Sequence, residues 1–341
     1  MKIEWLCSDG SPIGITSKDL WGEGKRGVGV GGSEYLMVTL CELWTEQGHD
    51  VIVYNDPLEQ DASPYEQRPK ACFDPTDKRD VLITFRSPNP QAIVANGKKV
   101  WLSCDQYTLG SFDKFAPFMD KIVVISEFHK QYFASRYRIN DTIVIDIPVR
   151  AHDFEDCKAQ KVPKRLIFTS VPDRGLDYLR AVWPKIKINV PDASLVITSD
   201  YRLWGLNSPK DHRVKWIRQE GINYIGAVPR KRLIQEQLQA EILAYPNVYD
   251  ELFCVAVAEA QFAGAYPITS GIGALSTTNM GTIIPGDPRD GVFLPRFADE
   301  IIRLLNSPEE LQEKQKQVRQ MAAERFSPER ILEQWDKEVF A

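Results

Sequence analysis

The chain has 341 residues, room for two domains of ordinary size. Its hydrophobic fraction of 43% and charged fraction of 26% are those of a globular chain, and a net charge of -5 argues against a nucleic-acid binder. No apolar run reaches the roughly 18 residues that a membrane-spanning helix needs, which leaves peripheral membrane contact as the one open membrane role. The start, Met1 to Cys7, is too short and polar for a signal peptide. The six cysteines are scattered without C-x-x-C spacing, so no zinc site is expected and a reducing, cytoplasmic setting is.

In chain order, Ile3 to Cys7 reads as a first strand and a glycine-rich loop follows. Ser33 to Gln47 reads as a helix with Leu36, Leu40, Leu43 and Trp44 along one face, closed by Gly48. Strands are expected at Val51–Tyr54, Val81–Phe85, Val100–Ser103, Lys121–Ser126 and Thr142–Ile145, with a helix from Phe128 to Tyr137. Pro148 to Pro163 is polar and bounded by prolines, and reads as an interdomain linker. A second series begins with the strand Arg165–Ser170. It continues with a helix at Leu176–Ile188, a strand at Ser194–Thr198 and a helix at Leu233–Gln239. Strands at Glu241–Tyr245, Tyr266–Thr269 and Thr282–Ile284 and helices at Ser307–Arg325 and Pro328–Val339 complete it. Strands alternating with helices predict an α/β protein with parallel sheets. The basic trio Arg230-Lys231-Arg232 reads as the solvated start of a helix.

Two features carry chemistry. Gly27-Val-Gly-Val-Gly-Gly-Ser-Glu contains a literal G-x-G-x-x-G in Gly27, Gly29 and Gly32, with Asp56 after the next strand, so an NAD-dependent oxidoreductase is one reading. That fingerprint should follow its strand directly, and here about twenty loop residues intervene. The second feature is Glu251 and Glu259, which bracket seven residues ahead of an apolar run that ends at Gly264. A helix starting near Phe253 would offer its first N–H groups to an anion and place Glu259 about 9 Å further along the axis. That layout suits a nucleoside diphosphate-sugar: phosphates on the helix end, ribose at Glu259, sugar hydroxyls at Glu251.

The Glu251–Glu259 segment, its place after Ile242–Tyr245, and the Gly-Ala-Tyr-Pro-Ile that follows resemble the E-x7-E signature of retaining glycosyltransferases of family 4, which have the GT-B fold. Gly31-Gly32-Ser33-Glu34, then a helix, then Gly48-His49-Asp50-Val51, resembles that family's N-terminal pattern. The resemblance covers nearly the whole chain. It implies two Rossmann-like doubly wound domains facing a central cleft: 1–150 on the acceptor side and 151–325 on the nucleotide-sugar side. A terminal helix at 326–341 would then cross back to the first domain.

Residue by residue, the resemblance implies that Glu251 positions the donor sugar and Glu259 the ribose, with Leu252, Phe253 and Cys254 at the phosphate-binding helix end. Arg174-Gly175 takes the place of a Lys-Gly pair, so Arg174 would meet the leaving diphosphate; a second arginine usual in the family is replaced by Thr169-Ser170. Gly31 and Gly32 would approach the donor, and the backbone of Gly226 and Val228 would hold the base. On the acceptor side stand Cys104, where the family has a histidine, then Asp105 as a contact to an acceptor hydroxyl, and Ser126. Cys104 is expected to line the cleft without covalent chemistry, and His49 and His129 to be structural. The expected activity is metal-independent transfer of a sugar from a UDP- or GDP-sugar to a glycan, lipid-linked sugar or small molecule, with no cofactor. A non-catalytic sugar-nucleotide-binding protein of the same fold is the other alternative.

Overall fold

The computed structural model describes residues 1–24, 27–59, 62–106, 110–206 and 219–341. Apolar runs such as Val81–Phe85, Ile242–Tyr245 and Tyr266–Ser270 are buried along their whole length. Such runs form strands covered on both faces, which is the condition of a parallel sheet. Among the described residues the strands build two sheets whose recorded pairings are all parallel.

The first sheet contains β1 (Lys2–Cys7), β2 (Asp50–Tyr54), β3 (Glu66–Arg68), β4 (Val81–Phe85), β5 (Lys98–Leu102), β6 (Lys121–Val124) and β7 (Ile143–Val144). Their spatial order is β3-β2-β1-β4-β5-β6-β7. The second contains β8 (Arg165–Phe168), β9 (Ser194–Ile197), β10 (Ile222–Tyr224), β11 (Ile242–Tyr245), β12 (Tyr266–Ser270) and β13 (Thr282–Ile284), in the order β10-β9-β8-β11-β12-β13. In each sheet the chain runs outward on one side of its first strand and then resumes on the other. That reversal is the doubly wound topology, and it opens a crevice at the carboxyl ends of the two central strands.

The chain divides into two compact units. The first includes Val30–Pro148 and Pro328–Ala341; the second includes Val149–Ser327 and the short piece that ends at Gly29. In the first unit Trp5 packs between Trp44 and Phe85, with ring centroids 5.6 and 5.2 Å away. Trp335 stands edge-on to Trp44 at 5.1 Å, which builds the end of the chain into that core. The last turn is a π-helix, Trp335–Phe340. Lys98 donates to the carbonyls of Val339, Phe340 and Ala341, a cation at a helix C-terminus.

The helix over Gly32–Glu46 starts at Gly31, and Gly48 adopts φ 83° beyond its end, as the sequence predicts. Two expectations need correction, and one helix was not foreseen. The segment read as a linker contains a helix, His152–Glu155, and its Arg150, Asp153 and Phe154 are buried. Its charges are neutralised by pairing, Arg150 to Asp153 at 2.9 Å, and Phe154 packs on Phe262 with centroids 5.1 Å apart. Arg230 is not solvated at its helix start but 3% exposed. The helix Phe293–Leu305, with Phe293, Phe297, Ala298, Ile301 and Leu304 on its buried face, is an element the sequence reading passed over although its spacing is helical.

Candidate functional site

In the second unit the reversal lies between β8 and β11. From the end of β8 the chain makes a tight turn, Pro172–Arg174, and enters the helix Leu176–Asn189 through Gly175 at φ 112°. A Cβ on Gly175 would lie 2.0 Å from the carbonyl oxygen of Pro246. Only glycine lets these two backbones touch, and the contact sets Arg174 beside the end of β11. That end continues through Asn247 and Tyr249 to Glu251. Arg174 Nε lies 3.6 Å from Glu251 Oε1, and the Tyr245 hydroxyl donates to the same oxygen at 2.9 Å. The Arg174 guanidinium also lies over the Tyr249 ring.

The backbone of Glu251 is held from the far side. Ala274 N–H donates to its carbonyl at 2.7 Å, and a Cβ on Gly273, at φ 63°, would come within 2.5 Å of its nitrogen. Both side chains of the pair remain in partial contact with solvent, at 17% and 18% exposure. Burial pulls the Arg174 pKa down, but Glu251, Tyr245 and Tyr249 together outweigh it and the net shift is upward. Tyr245 is pushed well up, first by burial and then by Glu251, so it stays a donor.

After Glu251 the chain buries Leu252 and Phe253, the latter edge-on to Phe326 at 5.5 Å. The helix opens at Val255, two residues beyond the expected start, with Cys254 before it at φ 93°. Burial pushes the Cys254 thiol well up. Glu259, one turn into this helix, is 3% exposed and pairs with Arg230 at 2.8 Å. The segment expected to hold a base is largely occupied by its own fold. Gly226 N–H donates to Ile197 O at 3.1 Å, Ala227 N–H donates to Asp200 Oδ2, and Val228 O accepts from Gly29 N–H.

In the first unit the reversal lies between β1 and β4. Arg86, just past β4 and at φ 63°, donates to Asp105 at 2.7 Å and stands 3.8 Å from Asp9, just past β1. Asp9 also accepts from the Ser87 hydroxyl. Cys104 donates to Ser33 at 3.6 Å, beside Gly31 and Gly32 at the start of the helix. Burial raises its thiol pKa to about 12, which favours the neutral thiol at neutral pH. Ser126 does not line an open surface. It is fully buried and caps the helix Glu127–Tyr137 by accepting from His129 N–H at 3.0 Å. His129 is buried beneath it, with Nδ1 accepting from Ile125 N–H at 3.3 Å.

The literal glycine fingerprint does not join strand to helix. β1 ends at Cys7 and a separate helix, Ser17–Trp21, intervenes before Gly32. No family model matches the sequence, and no curated protein does. Solved structures do match in fold. Sucrose-phosphate synthase from Thermosynechococcus elongatus is 16% identical, with a TM-score of 0.70 over 98% of this chain and 97% of that one. HepE from Anabaena, solved in complex with UDP, is 14% identical, with a TM-score of 0.70 over 99% of each chain. A glycosyltransferase from Rickettsia africae is 16% identical, with a TM-score of 0.69 over 99% of this chain and 97% of that one.

This is the GT-B fold. Within it, Arg174 and Glu251 come together at one reversal, while Cys104, Asp105, Gly31 and Gly32 gather near the other. Among the described residues no helix is long and apolar enough to cross a membrane. The sequence reading missed Tyr245, Tyr249, Arg86 and Arg230. Tyr245 and Tyr249 sit within the Glu251 segment and were legible as its neighbours. Arg86 gave no signal, and Arg230 stood only in a basic trio read as solvated, because arginines beside a strand or at a helix start usually are.

Proposed function

We propose that this protein is a retaining glycosyltransferase that moves a sugar from a nucleotide-sugar to a hydroxyl-bearing acceptor. The observation that carries the reading is the Arg174–Glu251 pair, 3.6 Å apart at the reversal of the second sheet, where doubly wound folds bind nucleotides. Arg174 supplies a fork for the diphosphate and stabilises charge as the bond from the anomeric carbon to phosphate breaks. Glu251, oriented by the Tyr245 hydroxyl, accepts hydrogen bonds from the donor sugar. Glu259 serves the ribose. The transition state has oxocarbenium character. The acceptor oxygen bonds to the anomeric carbon on the face the phosphate leaves, and its proton passes to the leaving phosphate oxygen. Asp105 and Cys104 line the acceptor side. The chain needs no divalent metal and works in the cytoplasm.

HepE is described in complex with UDP and with UDP and glucose, which supports a uridine donor. The test is transfer from UDP- and GDP-hexoses to a panel of sugars in the presence of chelator, with the anomeric configuration of the product read by proton NMR. Retention with undiminished rate supports the reading. Inversion, or transfer only with added metal, contradicts it.

A further inference from the structure

Four charged side chains of the second unit, Arg150, Asp153, Arg230 and Glu259, are 3%, 5%, 3% and 3% exposed. They form a chain of contacts. Arg150 Nε meets Asp153 Oδ2 at 2.9 Å, and the same carboxylate accepts from Arg230 Nε. Arg230 Nη2 then meets Glu259 Oε1 at 2.8 Å. His152 Nε2 lies 2.8 Å from Asp153 Oδ1. Burial works against ionisation of Asp153, yet His152, Arg230 and Arg150 together hold its carboxyl well below the usual range. Two arginines and two carboxylates thus face one another in this network.

A buried ion network is weak evidence for stability, since desolvation offsets most of the attraction. Its geometry is more informative. Glutamate has three freely rotating bonds, and a carboxylate that must meet ribose hydroxyls loses affinity if it wanders. The guanidinium is a rigid planar fork. With one nitrogen on Asp153, the other lies in ion-pair contact with one Glu259 oxygen, close enough for the charge attraction to restrain that carboxylate without an aligned hydrogen bond between them. Arg230 opens its helix two residues past Val228, beside the segment assigned to the base.

We propose that Arg230, anchored by Asp153, is a positioning residue that aims Glu259 at the donor ribose. This rests on the nucleotide-sugar reading above. The test is calorimetric, on the intact chain. UDP, GDP and ADP identify the preferred nucleoside diphosphate, and its 2′-deoxy and 3′-deoxy forms are then compared with it. Wild type should bind the ribonucleotide about tenfold tighter than at least one deoxy form, the loss of a hydrogen bond to a charged group. Arg230→Lys keeps the charge but loses the fork, and Arg230→Met with Asp153→Asn removes one cation and one carboxylate together. Both should bind the ribonucleotide as weakly as wild type binds that deoxy form, with deoxy affinity unchanged. A merely structural role would weaken both ligands equally, and that result, or a folded Arg230→Lys that keeps the wild-type ratio, overturns the proposal. Should the double variant fail to fold, Arg230→Lys decides. Should wild type bind a ribonucleotide without discriminating its deoxy forms, the aim at ribose is wrong while the nucleotide reading stands. Should wild type bind none of the three nucleotides, the nucleotide reading itself falls and this proposal with it.

Discussion

Arg174 and Glu251, 77 positions apart in sequence numbering, meet at 3.6 Å because each follows one of the two central strands of the second sheet. Neither carries the other's function. In the proposed reaction the arginine meets the leaving phosphate and the carboxylate meets the sugar hydroxyls.

The two glutamates should therefore separate in their effects. Glu251→Ala is expected to lower kcat by about 10²–10³, the size of one lost electrostatic contact at a reacting centre, with nucleotide affinity nearly intact. Glu259→Ala should weaken nucleotide binding itself by about tenfold or more. Calorimetry and initial rates on the two variants check this. Equal, mild effects of both would remove the role assignment.

Arg174→Met should cost about 10²–10³ in kcat with less change in KM, and Arg174→Lys should recover only part of it, because an ammonium cannot reproduce the fork. Rates measured on both variants with one donor give the comparison. Full recovery by lysine would show that a point charge suffices.

Gly175→Ala should damage the site without touching its chemistry. The residue sits at φ 112° and its new methyl would collide with Pro246 O. We expect destabilisation of about 1–3 kcal/mol together with a fall in kcat, as Arg174 is pushed away from Glu251. A urea melt and a rate measurement read the two effects separately.

His129 gives a pH signature of the fold. Burial lowers its pKa from 6.5 to about 3, so between those values the unfolded chain binds the proton and the folded one does not. Stability from this group is complete above about pH 6.5 and is lost progressively as pH falls toward about 3. His129→Gln should flatten that part of a stability-versus-pH curve measured by urea denaturation. An unchanged slope would show that the loss comes from other groups.

The strands and most helices were legible in the sequence, because runs such as Val81–Phe85 and the alternation around Leu36, Leu40 and Leu43 state burial directly. The site was legible only in part. Glu251, Glu259 and Arg174 stood out by spacing and by their place after strands, and Tyr245 stood close by in the same segment. Arg230 and Asp153 act through long-range pairing, which no local pattern encodes. Polarity misled in one stretch: Arg150 and Asp153 look like solvated linker residues until they are seen to neutralise each other in the interior. Ser126 misled in another way, since a serine ahead of a helix serves as a cap whether or not a ligand is near.

The proposed function requires that the crevice at Arg174 and Glu251 take a nucleoside diphosphate. Calorimetric titration of the protein with UDP, GDP, ADP and NAD, without added metal, tests it most directly. Tight binding of one nucleoside diphosphate, weakened by Arg174→Met, is the predicted result and names the donor base. Binding of NAD alone, unaffected by that substitution, would contradict the claim and make the Gly27 loop the cofactor site.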